Sequence, residues 1–153
     1  MRSPTYRLSS SAFSLVEIMI VLTLIGLLAA LAVPAVQKIK NRAAVSAFVN
    51  DLRAIEKATE VYAMEMGVML QDYETGEQPA DLIPYLKNPD FTGNTQLGGQ
   101  WDWDNHNTYY RISVIPMDEE IVRLVDEEID DGNTGTGLVQ FSGGFRYYTW
   151  NAP

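Results

Sequence analysis

A chain of 153 residues holds one domain plus an N-terminal element. It carries 20 acids against 11 bases, a net charge of −9, and every acid except Glu17 lies from Asp51 onward. That acidic majority repels phosphate backbones and disfavours nucleic acid as a partner, while the lack of cysteine excludes disulfides and cysteine–zinc sites.

Met1 to Ala12 is short, polar and free of acids, with Arg2 and Arg7 as its charges. Phe13 to Val36 follows, 24 residues with a single charge, Glu17. At about 1.5 Å per residue a helix of this length spans about 36 Å, enough for a hydrocarbon core of about 30 Å. Fourteen of the 24 are Leu, Ile, Val or Phe. At about −0.3 to −0.6 kcal/mol each they outweigh the ~3 kcal/mol cost of one acid, so membrane insertion is expected. Three readings compete: a secretory signal peptide cut after Ala30-Leu31-Ala32, a plain single-pass anchor, or a leader removed before an apolar run that is kept. Glu17 separates them, because a carboxylate in lipid is costly and calls for a cationic partner, which neither of the first two readings supplies.

The string Ala12-Phe13-Ser14-Leu15-Val16-Glu17 resembles the processing site of type IV pilins and type II secretion pseudopilins. The resemblance implies cleavage between Ala12 and Phe13 by a membrane prepilin peptidase, methylation of the new Phe13 amine, and a glutamate, here Glu17, at the fifth mature position. Ala12 stands where the family usually has glycine. Gly26 and Pro34 sit where many members carry a helix-softening glycine and a kinking proline. The implied mechanism is a filament in which Glu17 of one subunit meets the Phe13 amine of another, an opposite-charge pair favoured in low dielectric. The implied partners are other pilin or pseudopilin subunits, the peptidase, an inner-membrane assembly platform and membrane lipid. The implied location is the bacterial inner membrane, single-pass, with the globular domain extracytoplasmic and the filament in the periplasm or at the cell surface. Charge alone leaves orientation tied, since Arg2 and Arg7 oppose Lys38, Lys40 and Arg42 across the span. Those three bases read as contacts to lipid headgroups, as contacts to acids on neighbours, or as a solvated face.

Beyond the span, Val45, Phe48, Leu52, Ile55, Thr59, Tyr62, Met66 and Met69 recur every three or four residues, an amphipathic stripe that continues the helix. Gly67 is the first stop signal. The segments expected are therefore a leader over 1–12, a membrane or filament-core helix over 13–36, its amphipathic continuation over 37–66, and a globular region over 67–153.

Residues 67–107, punctuated by Pro79, Pro84, Pro89 and Gly98-Gly99, read as a connecting loop with one helical turn. Tyr110, Ile112 and Val114 alternate with Arg111 and Ser113 as a half-buried strand. Asp118 to Asp130 reads as a capped helix with Ile121, Leu124/Val125 and Ile129 on one face. Leu138–Phe141 and Phe145–Trp150 flank Ser142-Gly143-Gly144 as a hairpin. The sum is α+β: a long N-terminal helix packed on a small antiparallel sheet. The resemblance independently implies such a pilin-like fold.

Two acidic stretches have two readings. In Gly98-Gly99-Gln100-Trp101-Asp102-Trp103-Asp104 and again at Asp130-Asp131-Gly132-Asn133, aromatics pin loops and acids cap turns. Alternatively Asp126, Glu128, Asp130, Asp131 and Asn133 supply oxygens for calcium, as some pseudopilins hold in C-terminal loops. The spacing is not an EF-hand, since Asp131 stands where that motif needs glycine. No other cofactor is expected. His106, between Asn105 and Asn107, is the sole histidine, and no nucleophile, phosphate-loop or paired-histidine motif is present, so no enzyme is expected. The leading function is a structural subunit of a type II secretion pseudopilus or type IV pilus-like filament. The alternatives are a minor tip pilin that binds a secreted protein or surface, and a soluble exported protein cut after Ala32.

Overall fold

The computed structural model describes residues 13–106 and 109–149. The leader with Ala12, Asn107, and Trp150 of the expected hairpin lie outside the described residues. Helix α1 runs Leu15–Met66 with Pro34 inside it, as the periodicity required. The chain divides into two compact units, Met1–Ile39 and Lys40–Pro153.

In the first unit every described side chain from Phe13 to Ile39 is exposed, and the apolar window has a mean hydropathy of 2.7. A helix apolar on all sides has no face to give to a soluble core. Its one hydroxyl within the run from Leu15 is satisfied locally: Thr23 Oγ1 donates to the Met19 and Ile20 carbonyls at 3.0 and 2.8 Å.

The second unit holds the core. After α1 come a 3₁₀ turn at Ala80–Leu82, strands β1 (Gln100–Asn105) and β2 (Tyr110–Ile115), helix α2 (Glu119–Ile129), and strands β3 (Val139–Phe141) and β4 (Phe145–Thr149). The sheet is antiparallel throughout, in the order β1-β2-β4-β3. The C-terminal half of α1 gives Val45, Phe48, Val49, Leu52, Ile55, Ala58, Thr59, Tyr62 and Ala63 to the core. Phe48 lies between two strands, stacked on Trp101 of β1 at 4.8 Å and edge-on to Phe145 of β4 at 5.0 Å. A polar tie joins the same elements, Tyr147 of β4 donating to Glu56 Oε1 at 3.2 Å. Burial and the facing Glu56 charge push the Tyr147 hydroxyl up to about 12.

Three expectations need correction. The Trp101–Asp104 stretch is not a pinned loop but strand β1, paired residue by residue with β2 from Gln100↔Ile115 to Asn105↔Tyr110. Its alternation of tryptophan with aspartate has the strand period, and Trp101 and Trp103 are each only 1% exposed; the acids merely lowered its apparent strand propensity. Gly99 opens this strand at φ +70°, where a Cβ would stand 2.6 Å from the Pro116 carbonyl oxygen. On α1 the stripe ends earlier than Met66, which is exposed. On α2, capped by Asp118 accepting from the Glu120 N–H at 2.8 Å, the buried residues are Val122, Val125 and Asp126, while Ile121, Leu124 and Ile129 are only partly covered. The face is rotated because α2 lies beside β3, where a carboxylate shares the buried side.

Phe48→Ala removes the side chain that holds α1 to both β1 and β4. The expected loss is about 3–5 kcal/mol of unfolding free energy, read from urea denaturation of residues 41–153.

Candidate functional site

Two sets of residues are candidates for chemistry beyond folding. The first is the N-terminal turn of α1. Ser14 begins the helix, its carbonyl accepting from the Glu17 and Ile18 N–H groups at 3.1 and 3.2 Å. Glu17 is the acid of the first turn, favourably placed against the helix dipole. Its carboxylate is exposed and has no hydrogen bond or ion pair among the described residues. Phe13, 75% exposed, is four residues before it, and Ala12 lies outside the described residues. A Cβ added to Gly26 would meet nothing within 4 Å, so no contact among the described residues demands glycine there. Pro34 removes one backbone donor without ending the helix.

The second set lies where α2 meets the loop to β3. Oxygens of Asp126, Asp130 and Asp131 all come within 4.8 Å of one another. Asp126 is fully buried, and neither of its carboxylate oxygens has a well-formed hydrogen bond among the described residues, the Gly132 N–H offering only a weak one. Burial first, and then the charges of Asp130, Asp131 and Glu127, push its pKa up to about 6. The loop folds back on this group: Asp130 Oδ2 accepts from the Leu138 N–H at 2.8 Å, and Asp131 Oδ1 accepts from the Asn133 N–H at 2.8 Å. Gly137 packs so closely, at φ +84°, that any Cβ would collide with the Asp130 carboxylate.

Of the five predicted oxygen donors, then, the fold converges three. Glu128 is exposed and outside the group, and the Asn133 Oδ1 accepts from the Gly135 N–H at 3.2 Å. Sequence reading did not anticipate Gly137 or the Leu138 N–H, although the run Gly132-Asn133-Thr134-Gly135-Thr136-Gly137 marks a loop able to turn tightly. A buried carboxylate with free oxygens beside two more suits a hard divalent cation, which prefers several convergent oxygens.

Comparison with known proteins bears on the first set. The family model described as the prokaryotic N-terminal methylation motif matches residues 7–33. Type II secretion system core protein G of Pseudomonas aeruginosa is 33% identical over 100 residues, 65% of this chain and 64% of that protein. The protein of the same name from Aeromonas hydrophila is 34% identical over 73 residues, 48% of each chain. The matches thus span just under two-thirds and about half of the length of these relatives. No solved structure matches.

The raised pKa of Asp126 sets a pH dependence. The folded state holds this proton more tightly than the unfolded chain, whose aspartates titrate near the model value of 3.8, so stability falls as pH rises from about 4 to about 6. In chelator at pH 7, Asp126→Asn is expected to stabilise residues 41–153 by about 1–3 kcal/mol, with little gain at pH 4. Urea denaturation at the two pH values measures the difference.

Proposed function

We propose that this chain, which carries the prepilin-type methylation motif on a pilin-like α+β fold, is a structural subunit of a type II secretion pseudopilus or type IV pilus-like filament. One observation carries the reading: the apolar segment from Phe13 to Ile39, exposed along its whole length, holds a single carboxylate, Glu17, which is unpaired among the described residues and lies inside the matched motif. The similarity to core protein G favours the pseudopilus over an adhesive pilus. The protein has no catalytic role in this reading; it contributes shape and contacts.

The chain starts as a single-pass protein of the inner membrane with Lys40–Pro153 outside the cytoplasm. Prepilin peptidase cuts between Ala12 and Phe13, leaving a methylated amine on Phe13. In the filament that amine faces Glu17 of a neighbour, and each charge removes the other's desolvation penalty. The pair fixes axial stagger, since a shift by one residue separates the charges. The assembly platform and other pilin subunits are the partners.

Glu17→Ala is expected to leave the protein in the membrane while reducing sheared filaments at least about tenfold, the consequence of leaving a buried amine unpaired. Normal filaments from this variant would refute the pairing. Mass spectrometry of the mature N-terminus separates the competing readings. A methylated Phe13 supports a filament subunit, and a start at Val33 means ordinary export.

A second reading concerns the acidic site. Asp126, Asp130 and Asp131 bind calcium, which ionises the buried carboxylate and cancels its repulsion with its neighbours. With a dissociation constant in the range of extracellular modules, 5 mM calcium is expected to raise the Tm of residues 41–153 by about 5–10 °C at pH 7.5, and by less at pH 5. A melt that does not move at either pH removes the cation.

A further inference from the structure

Lys38, Lys40 and Arg42 are all exposed on α1, and none has an ion-pair or hydrogen-bond partner among the described residues. The sequence explains this: no acid lies between Glu17 and Asp51, so none stands three or four residues away on the helix. The nearest acid along α1 is Asp51, nine residues past Arg42. That is about 13 Å of helix, longer than the screening length of about 8 Å at physiological salt. The first buried side chain of α1 is Val45, so the core covers none of the three bases.

Their directions decide what kind of surroundings they fit. A helix turns by about 100° per residue, so Lys40 stands about 160° away from both Lys38 and Arg42, which are about 40° apart. All three nevertheless lie within about 6 Å along the helix axis. A protein face or a free phosphate approaches from one side, and so meets either Lys40 or the other two. A polar layer that encloses the helix at one height meets all three. The height is also right for such a layer. The 21 residues from Glu17 to Lys38 make about 31 Å of helix, the thickness of a hydrocarbon core of about 30 Å. The next 6 Å or so matches the headgroup region, about 5–7 Å deep on each side of a bilayer. Gln37, Ile39 and Asn41 alternate with the bases, and Ile39 is 67% exposed, a mixture of apolar and polar groups suited to that boundary. Lysine and arginine stems can lie along an apolar surface there while their charges reach the polar layer.

We propose that Lys38, Lys40 and Arg42 form a basic girdle that gathers anionic phospholipid headgroups around α1, in the leaflet from which residues 43–153 emerge. The proposal rests on the reading of α1 as membrane-spanning before assembly, and adds to it the chemistry of the lipid. The girdle sets the depth of the unassembled subunit, and its removal into a filament breaks these headgroup contacts. The attraction acts over a short range and weakens with salt.

The absence of native cysteine allows single fluorescent reporters in the full-length chain. Ile39→Cys carrying a nitrobenzoxadiazole label reports on the girdle, and Ile25→Cys with the same label reports on the middle of the span. Each is reconstituted in phosphatidylcholine vesicles that contain nitroxide-labelled phosphatidylglycerol or, at equal mole fraction, nitroxide-labelled phosphatidylcholine. Quenching at position 39 is expected to be at least about threefold stronger with the phosphatidylglycerol. The two lipids are expected to quench equally in Lys38→Gln with Lys40→Gln and Arg42→Gln, and in about 0.5 M sodium chloride. Lys40→Gln alone, and Lys38→Gln with Arg42→Gln, are each expected to remove part of the preference, because the layer is met from both sides. If position 25 is quenched but position 39 shows no preference, the girdle is wrong and the spanning reading stands; if position 25 is not quenched, both fall. Full preference in the Lys40→Gln variant means a one-sided site and overturns the girdle. Sodium phosphate is expected to compete no better than sodium chloride of the same ionic strength; stronger competition assigns the bases to a free anion. A preference that disappears as the protein-to-lipid ratio is raised assigns them to acids of a neighbouring chain, and either result overturns the proposal.

Discussion

A single backbone helix has to answer to two surroundings, and the remaining structure follows from how its side chains divide between them. Up to Ile39 the described residues of α1 are exposed on every side and overwhelmingly apolar. From Val45 onward one stripe is buried and the rest is wet. An all-round apolar helix is stable only against lipid or other such helices, whereas a striped helix needs a sheet to cover it. The two demands cannot be exchanged, so the chain order of the elements is already an order of environments.

In the second unit the sheet meets that stripe through large aromatic side chains. Phe48 touches Trp101 and Phe145, Phe91 approaches Trp101 at 6.1 Å, and Trp103 lies 4.6 Å from Tyr110. Such side chains bury much area for few degrees of freedom, which suits a four-stranded sheet with strands of three to six residues. The outward side of β1 and β2 is polar instead: Asp104 accepts from Arg111 Nε at 2.8 Å and pairs with its Nη2 at the same distance. Being partly exposed, this ion pair adds little stability and chiefly favours the register Asp104↔Arg111.

Charge is distributed with the same logic of unfinished contacts. Among the described residues Glu17 has no cation beside it, Lys38, Lys40 and Arg42 have no acid beside them, and Asp126 is a buried acid among acids. Under the function proposed above, Glu17 is met by a neighbour's amine and Asp126 by a divalent ion.

Much of this was legible in the amino-acid order alone. The apolar run, the stripe beyond it, the capped helix after Asp118 and the Gly-rich hairpin all rest on local periodicity and turn chemistry, which neighbours in sequence determine. The methylation motif matched over residues 7–33, which contains Glu17, is likewise contiguous. What required tertiary structure was of another kind. That Trp101-Asp102-Trp103-Asp104 is a strand depended on β2 being available to pair with it and on Phe48 covering its inner face. That Asp126, rather than Glu128, turns inward depended on where β3 lies beside α2. That Asp51 and Asp90 line one cavity joins positions 39 residues apart, a separation that no local pattern can report. Periodicity is a property of one segment; burial and convergence are properties of segments brought together, and only the folded chain decides them.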